Sequence, residues 1–239
     1  MTDQVKPERI VFFDLETGGL DPARHPIIQL AAVATDARDG LRELGAIELK
    51  VKFDPAAADP EALAGNSYDA DAWERDAHPG HVAAGALSGF LRAHSTVEKT
   101  SARTGRAYRV ARLAGHNAAA FDWQFLRSWY DRLGSFLPAD YRVLDTLQLA
   151  AWLAYSRGGE VGGLGLSDLA ARLGVEREGE AHDALSDVRL TVGVARVLMA
   201  DLGSLAGAAP PVGEVVLEAR RGWSHENGGP STEIRDRRK

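Results

Sequence analysis

Three short apolar runs, at 9–14, 27–35 and 44–53, precede any helical periodicity, and this order constrains the fold more than any other feature of the chain. The first, Arg9-Ile-Val-Phe-Phe-Asp14, is β-branched and aromatic and stops at acids followed by Gly18-Gly19. Such a run reads as a buried strand ending in a turn. Asp36, Asp39 and Gly40 separate the second run from the third and predict a hairpin. A meander of three strands therefore opens the fold. Residues 54–79, rich in Ala, Asp and Pro, predict loop with short helical pieces. The pattern then alternates: a helix over 82–94, a strand over 110–115, a helix over 121–133 and a brief strand over 141–144. A helix over 146–154 is capped by Asp145, and a short helix over 167–173 is capped by Ser167 and ended by Gly174. The longest helix covers 184–202, with Ala184, Val188, Thr191, Ala195 and Leu198 along one face. This order predicts a mixed α/β sheet with helices on its faces.

The 239 residues are 45% hydrophobic and 26% charged, enough apolar material for a real core. Residues 1–203 are expected to form one domain and 204–239 a tail, Gly/Ala/Pro-rich and then polar, with one strand at 214–219. Cysteine is absent, which excludes a disulfide scaffold, a Cys-ligated zinc and a thiol nucleophile. A net charge of −6 argues against a basic nucleic-acid coat protein but admits an acidic enzyme working through metal and a local basic patch. The first residues carry no apolar leader core, and no apolar stretch reaches the ~18 residues of a membrane span, so a cytoplasmic protein without membrane contact is expected.

Three motifs carry chemistry. In the first, Asp14-Leu15-Glu16, the two acids are two apart on a strand and face one side, where two close anions call for a cation. Solvated strand-end acids are the bland alternative. The second is Gly115-His116-Asn117 followed by three alanines and Phe121-Asp122, between a strand and a helix. Asp122 fits there as an acid in the first helical turn as well as it fits a ligand. The third is His182-Asp183-Ala184-Leu185-Ser186-Asp187, opening the last helix. Asp187 adjoins core-facing positions, where a lone acid is unfavourable unless paired or metal-bound.

Together the motifs resemble those of the DnaQ-like (DEDDh) 3′–5′ exonuclease family. Phe12 to Leu20, FFDLETGGL, looks like its first motif, Gly115 to Asp122 its second, and His182-x-Ala-x-x-Asp187 its third. Asp145-Thr-Leu147 and Gly165 to Gly174 are also similar to family segments. The likeness covers about 9–203 and leaves out the tail. One departure is the three alanines before Phe121, where many members have two residues and some DNA-repair members have the longer spacing.

The resemblance implies an RNase H-like fold, a mixed five-stranded sheet flanked by helices. It implies hydrolysis of phosphodiester bonds from the 3′ end of DNA or RNA, with DNA slightly favoured, releasing nucleoside 5′-monophosphates. Asp14, Glu16, Asp122 and Asp187 would hold two divalent cations, Mg2+ or Mn2+, which suit hard oxygen ligands. His182 would take a proton from the attacking water. Thr17, Gly18 and Leu20 would receive the terminal nucleotide, the backbone over 16–18 holding its 3′-hydroxyl and Leu20 wedging against its base. His116 and Asn117 complete the substrate set. Phe121 fits either core packing or base stacking. The stretch 99–112, holding Lys99, Arg103, Arg106, Arg109 and Arg112 with no acid among them, fits a phosphate track or a solvated hairpin. Trp73, Trp123, Trp129 and Trp152 read as core or half-buried, and Trp223 as a tail contact for an unnamed partner. The alternative function is a non-catalytic nucleic-acid-binding or adaptor domain on the same fold.

Overall fold

The computed structural model describes residues 8–66, 68–159, 162–179 and 183–206. The chain divides into two compact units, Met1–Met199 and Ala200–Lys239. The sheet and all the described acids of the three motifs lie in the first. The strand expected at 214–219 and Trp223 fall outside the described residues, as does His182.

The expected meander forms as β1 (Arg9–Thr17), β2 (Ile27–Asp36) and β3 (Arg42–Lys50), successive neighbours running antiparallel. Three helices follow, α1 (Pro60–Gly65), α2 (Ala70–Asp76) and α3 (Gly80–Ala93). A separate hairpin, β4 (Val97–Thr100) with β5 (Ala107–Val110), leads into β6 (Arg112–Gly115). Then come α4 (Asp122–Arg132), β7 (Leu144–Asp145), α5 (Thr146–Ser156), α6 (Leu166–Arg172) and α7 (Ala184–Ala206). The main sheet is five-stranded and mixed, in the order β3-β2-β1-β6-β7, with β6 parallel to both neighbours.

Side-chain alternation along β1 divides the interior into two layers. Val11, Phe13 and Leu15 face α3 and α4, where they meet Leu87, Leu91, Phe125, Leu126 and Tyr130. Ile10 and Phe12 face α7, where they meet Ala184, Val188, Val192 and Ala195. Asp14 and Glu16 continue the second row beyond the end of its apolar part, so the helix that covers that face also carries the third motif. The other side of α7 buries Leu190, Val194 and Leu198 against Ala150 and Leu153 of α5 and Leu169 and Ala170 of α6.

Several local expectations change. Ser167 is not the cap of α6: the helix starts one residue earlier, at Leu166 after Gly165, without a side-chain cap bond. The strand expected over 141–144 shrinks to Leu144–Asp145. Trp73 and Trp129 are buried, but Trp152 is 72% exposed on α5. The basic stretch is a hairpin, and its charges are largely answered. Arg109 pairs with Glu98 at 2.9 Å, and Asp140 takes both Lys99 at 2.9 Å and Arg112 at 2.8 Å. The hairpin also leads away from the acids. Arg112 is level with Ile10, four residues before Asp14, which is about 13 Å at ~3.3 Å per strand residue. Among the described residues no helix is long and apolar enough to cross a membrane.

Candidate active site

The site forms where β1 and β6 end side by side and α4 and α7 begin. Asp14, Glu16 and Asp187 each present a carboxylate oxygen, and these oxygens lie within 4.8 Å of one another. Asp187 is carried into place by the apolar face of α7, and its own N–H bonds the Asp183 carbonyl at 2.9 Å. Asp183 fixes the start of the helix by accepting from the Ser186 N–H at 3.0 Å. Asp122, in the first turn of α4, is buried and lines the same cleft. Its Oδ1 accepts from the Leu15 N–H at 3.0 Å, which ties α4 to the strand between the two acids of the first motif.

Crowding shows in the protonation of the cluster. Burial pushes Glu16 up to about 7, helped by the charges of Asp187 and Asp122. Burial also pushes Asp122 up to about 7, against the hydrogen bonds from its own N–H and that of Leu15. Loss of water, followed by the charges of Asp122, Glu16 and Asp187, holds Asp14 well above the ordinary carboxylate range. Hard oxygen donors crowded to the point of holding protons near neutrality are a donor set suited to divalent cations.

A cleft of about 380 Å³ opens on the cluster, and His116, Asn117, Phe121, Ser167 and Arg177 also line it. Arg177 and Ser167 are residues that the motifs did not point to. The Arg177 guanidinium bonds Asp187 and reaches Ser167 Oγ at 3.1 Å. No periodic signal marks Arg177, which stands among acids in a loop.

The turn after β6 is shaped by close approach. A Cβ on Gly115 would stand 2.4 Å from the Ala118 Cβ and 3.0 Å from the Phe13 carbonyl oxygen. Gly115→Ala is expected to lose about 2 kcal/mol of stability, read as a lowered denaturant midpoint. Asn117 takes a left-handed φ of 57°, which Asn tolerates. His116 uses both ring nitrogens internally. Burial lowers its pKa, and a carbonyl can only accept, so Nε2–H donates to Leu164 O at 2.8 Å. Its Nδ1 lies 2.9 Å from the Thr146 hydroxyl, which donates to the Gly115 carbonyl at 3.2 Å. His116 thus braces the loop that borders the cleft.

Asp145 does more than the capping expected of it. It accepts from Leu147 N–H and Gln148 N–H at 3.0 and 3.4 Å, and also from Asn117 N–H and Ala119 N–H at 3.0 and 3.1 Å. One carboxylate therefore fixes both α5 and the second-motif turn. Asp145→Ala is expected to lower stability by about 1–2 kcal/mol in the same denaturant measurement.

A second cleft, of about 670 Å³, shares Leu15, Glu16 and Phe121 with the first and adds Thr17, Gly19, Leu20 and Asn66. Leu20 is 82% exposed at its side. Phe121 packs on Phe125 at 4.9 Å, as the core reading expects, and also lines both clefts. Gly18 lines neither. Its N–H donates to Pro26 O at 2.8 Å and its carbonyl accepts from Asp59 N–H at 2.7 Å, so its backbone holds the loop together.

A family model described as an exonuclease, of the RNase T type, matches residues 87–195. That span contains Asp122, His182 and Asp187; Asp14 and Glu16 precede it. Over that span the chain is similar to exonucleases, as the motifs led one to expect. It is 38% identical over 91 residues to the exonuclease DPD1, chloroplastic/mitochondrial, of Arabidopsis thaliana, covering 38% of this chain and 29% of that protein. It is 31% identical over 187 residues to the PolC-type DNA polymerase III of Staphylococcus haemolyticus, covering 78% of this chain and 11% of that one. The chain thus spans less than a third of either relative. In structure, the chain resembles E. coli exonuclease I in complex with a dT13 oligonucleotide, with a TM-score of 0.64 and 21% identity, over 84% of this chain and 43% of that one. The zinc-bound E. coli exonuclease I–ssDNA complex gives a TM-score of 0.63 at 19% identity, over 90% and 44%. These likenesses establish the RNase H-like fold, in agreement with the five-stranded mixed sheet.

Proposed function

We propose that the chain is a metal-dependent 3′–5′ exonuclease that removes nucleoside 5′-monophosphates from the 3′ end of nucleic acid, with DNA the favoured substrate. The catalytic domain is assigned to 1–203. The observation that carries the reading is the convergence of Asp14, Glu16 and Asp187 within 4.8 Å beside buried Asp122, on a chain whose residues 87–195 match an exonuclease family model. The four carboxylates are the ligands for two divalent cations, Mg2+ or Mn2+. When bound, these supply Lewis-acid activation of water and stabilisation of the leaving 3′ oxygen.

The protein's own groups do the rest. His182, one residue ahead of the Asp183 cap in the sequence, is assigned as acceptor of the proton from the attacking water. The terminal nucleotide is assigned to the second cleft, with Leu20 against the last base and Glu16 and Thr17 at the 3′-hydroxyl. His116 and Asn117 form the wall between that nucleotide and α6, with the His116 ring held in place by Leu164 and Thr146. Two supports come from relatives: a chloroplast and mitochondrial exonuclease, and a solved exonuclease holding oligo-dT.

Linear and circular single-stranded DNA of one sequence test the reading. With Mg2+ the linear strand should be consumed to 5′-monophosphates while the circle survives, and EDTA should stop the reaction. Cutting of the circle would identify an endonuclease instead. Binding of both without consumption would favour the adaptor alternative.

A further inference from the structure

A third cleft lies at the other end of β1 from the carboxylates and encloses about 710 Å³. Four arginines line it, Arg9, Arg38, Arg112 and Arg142, against the single carboxylate of Glu8. The Arg112 charge is answered by Asp140 at 2.8 Å, which Lys99 shares. Arg9, Arg38 and Arg142 have no carboxylate partner among the described residues. Arg9 donates from Nη1 to the Ala93 carbonyl at 2.8 Å, Arg142 stands 5.1 Å over the Tyr141 ring, and Arg38 is exposed. Three unanswered guanidiniums around one concavity raise its positive potential in a chain whose net charge is −6. Guanidinium groups match phosphate oxygens two at a time.

We infer that this cleft binds phosphodiester groups of the same strand whose 3′ end is cut at the carboxylates. The inference rests on the proposed action on nucleic acid. It assigns the upstream strand contact to this cleft and not to the tip of the β4–β5 hairpin. The Arg112 level of β1 is four residues, about 13 Å, from Asp14, so one terminal nucleotide does not reach both places and a longer strand does.

The test measures binding of a labelled single-stranded 20-mer to the full chain in EDTA across a salt series. Arg38→Gln with Arg142→Gln changes two exposed side chains and leaves the fold alone. Arg103→Gln with Arg106→Gln, at the hairpin tip, is the control of equal charge change. The first pair is expected to weaken 20-mer binding about tenfold at low salt and to flatten the plot of log K against log salt by about 1.4, at ~0.7 per single-strand phosphate contact. The control pair should leave the slope as it is. Equal slopes for wild type and Arg38/Arg142 variant overturn the inference. So does an equal loss in both variants, which would mean a general charge effect. Tight binding of inorganic phosphate or pyrophosphate that the 20-mer does not displace also overturns it, and assigns the cleft to a free anion. Binding in EDTA needs no cleavage. A protein that shortens no strand but keeps this salt slope therefore loses the exonuclease reading and retains the site.

Discussion

Asp14→Asn is expected to slow strand shortening by about 10³-fold while making the metal-free protein more stable than the wild type. Asp14 is the member of the cluster that feels all three other acids, with Asp122, Glu16 and Asp187 each raising its pKa on top of burial. Asn keeps the size and the polar contacts of the side chain but removes one charge from the crowd. Catalysis loses a ligand and stability gains from reduced repulsion, so the two readouts move in opposite directions. A substitution that merely damaged the fold would lower both. Single-turnover cleavage rates in Mg2+, with denaturant midpoints in EDTA, check the pair of outcomes. Full activity in Asp14→Asn, or a lower midpoint in EDTA, would contradict the assignment.

The metal-free protein is also expected to lose stability as pH rises through neutrality, the reverse of usual carboxylate behaviour. Glu16 moves from 4.5 to about 7 and Asp122 from 3.8 to about 7 on folding. Between those values the native state binds more protons than the unfolded chain, so stability falls with rising pH. The contribution is complete below the unfolded values and is lost as pH climbs through about 7. Glu16 alone accounts for about 3 kcal/mol, at roughly 1.4 kcal/mol per pH unit. A divalent cation that binds only the native state should erase the fall. Denaturant midpoints from acid to mildly alkaline pH, in EDTA and in Mg2+, give the measurement. A flat profile in EDTA would mean that burial and neighbouring charge do not hold protons on Glu16 and Asp122.

What was legible in the sequence had a short-range cause. The run Ile10 to Phe13 forces a buried strand, and the spacing of Asp14 and Glu16 then puts both acids on the row that meets α7. Asp187 was legible because it sits beside Val188 on an apolar helical face. The features that escaped depend on partners far along the chain. Lys99 and Arg112 stand in a stretch without acids, yet Asp140 is 41 and 28 positions on and answers both. Asp145 reads as a helix cap, while its hold on Asn117 and Ala119 spans the gap between two strands. Trp152 has the apolar bulk of a core residue, but α5 turns it outward while Ala150 and Leu153 meet α6 and α7. The contact of Arg177 with Asp187 arises from a loop with no periodicity to announce it.

The most direct measurement uses 5′-labelled single-stranded DNA and RNA of identical sequence, incubated with Mg2+, Mn2+ or EDTA, with Asp14→Asn as control protein. A ladder that shortens from the 3′ end, faster on DNA, and that disappears with EDTA and with the substitution is the predicted result. Release of the 5′ label as a single nucleotide, or intact strands with both metals on both substrates, would contradict 3′–5′ exonuclease action at Asp14, Glu16, Asp122 and Asp187.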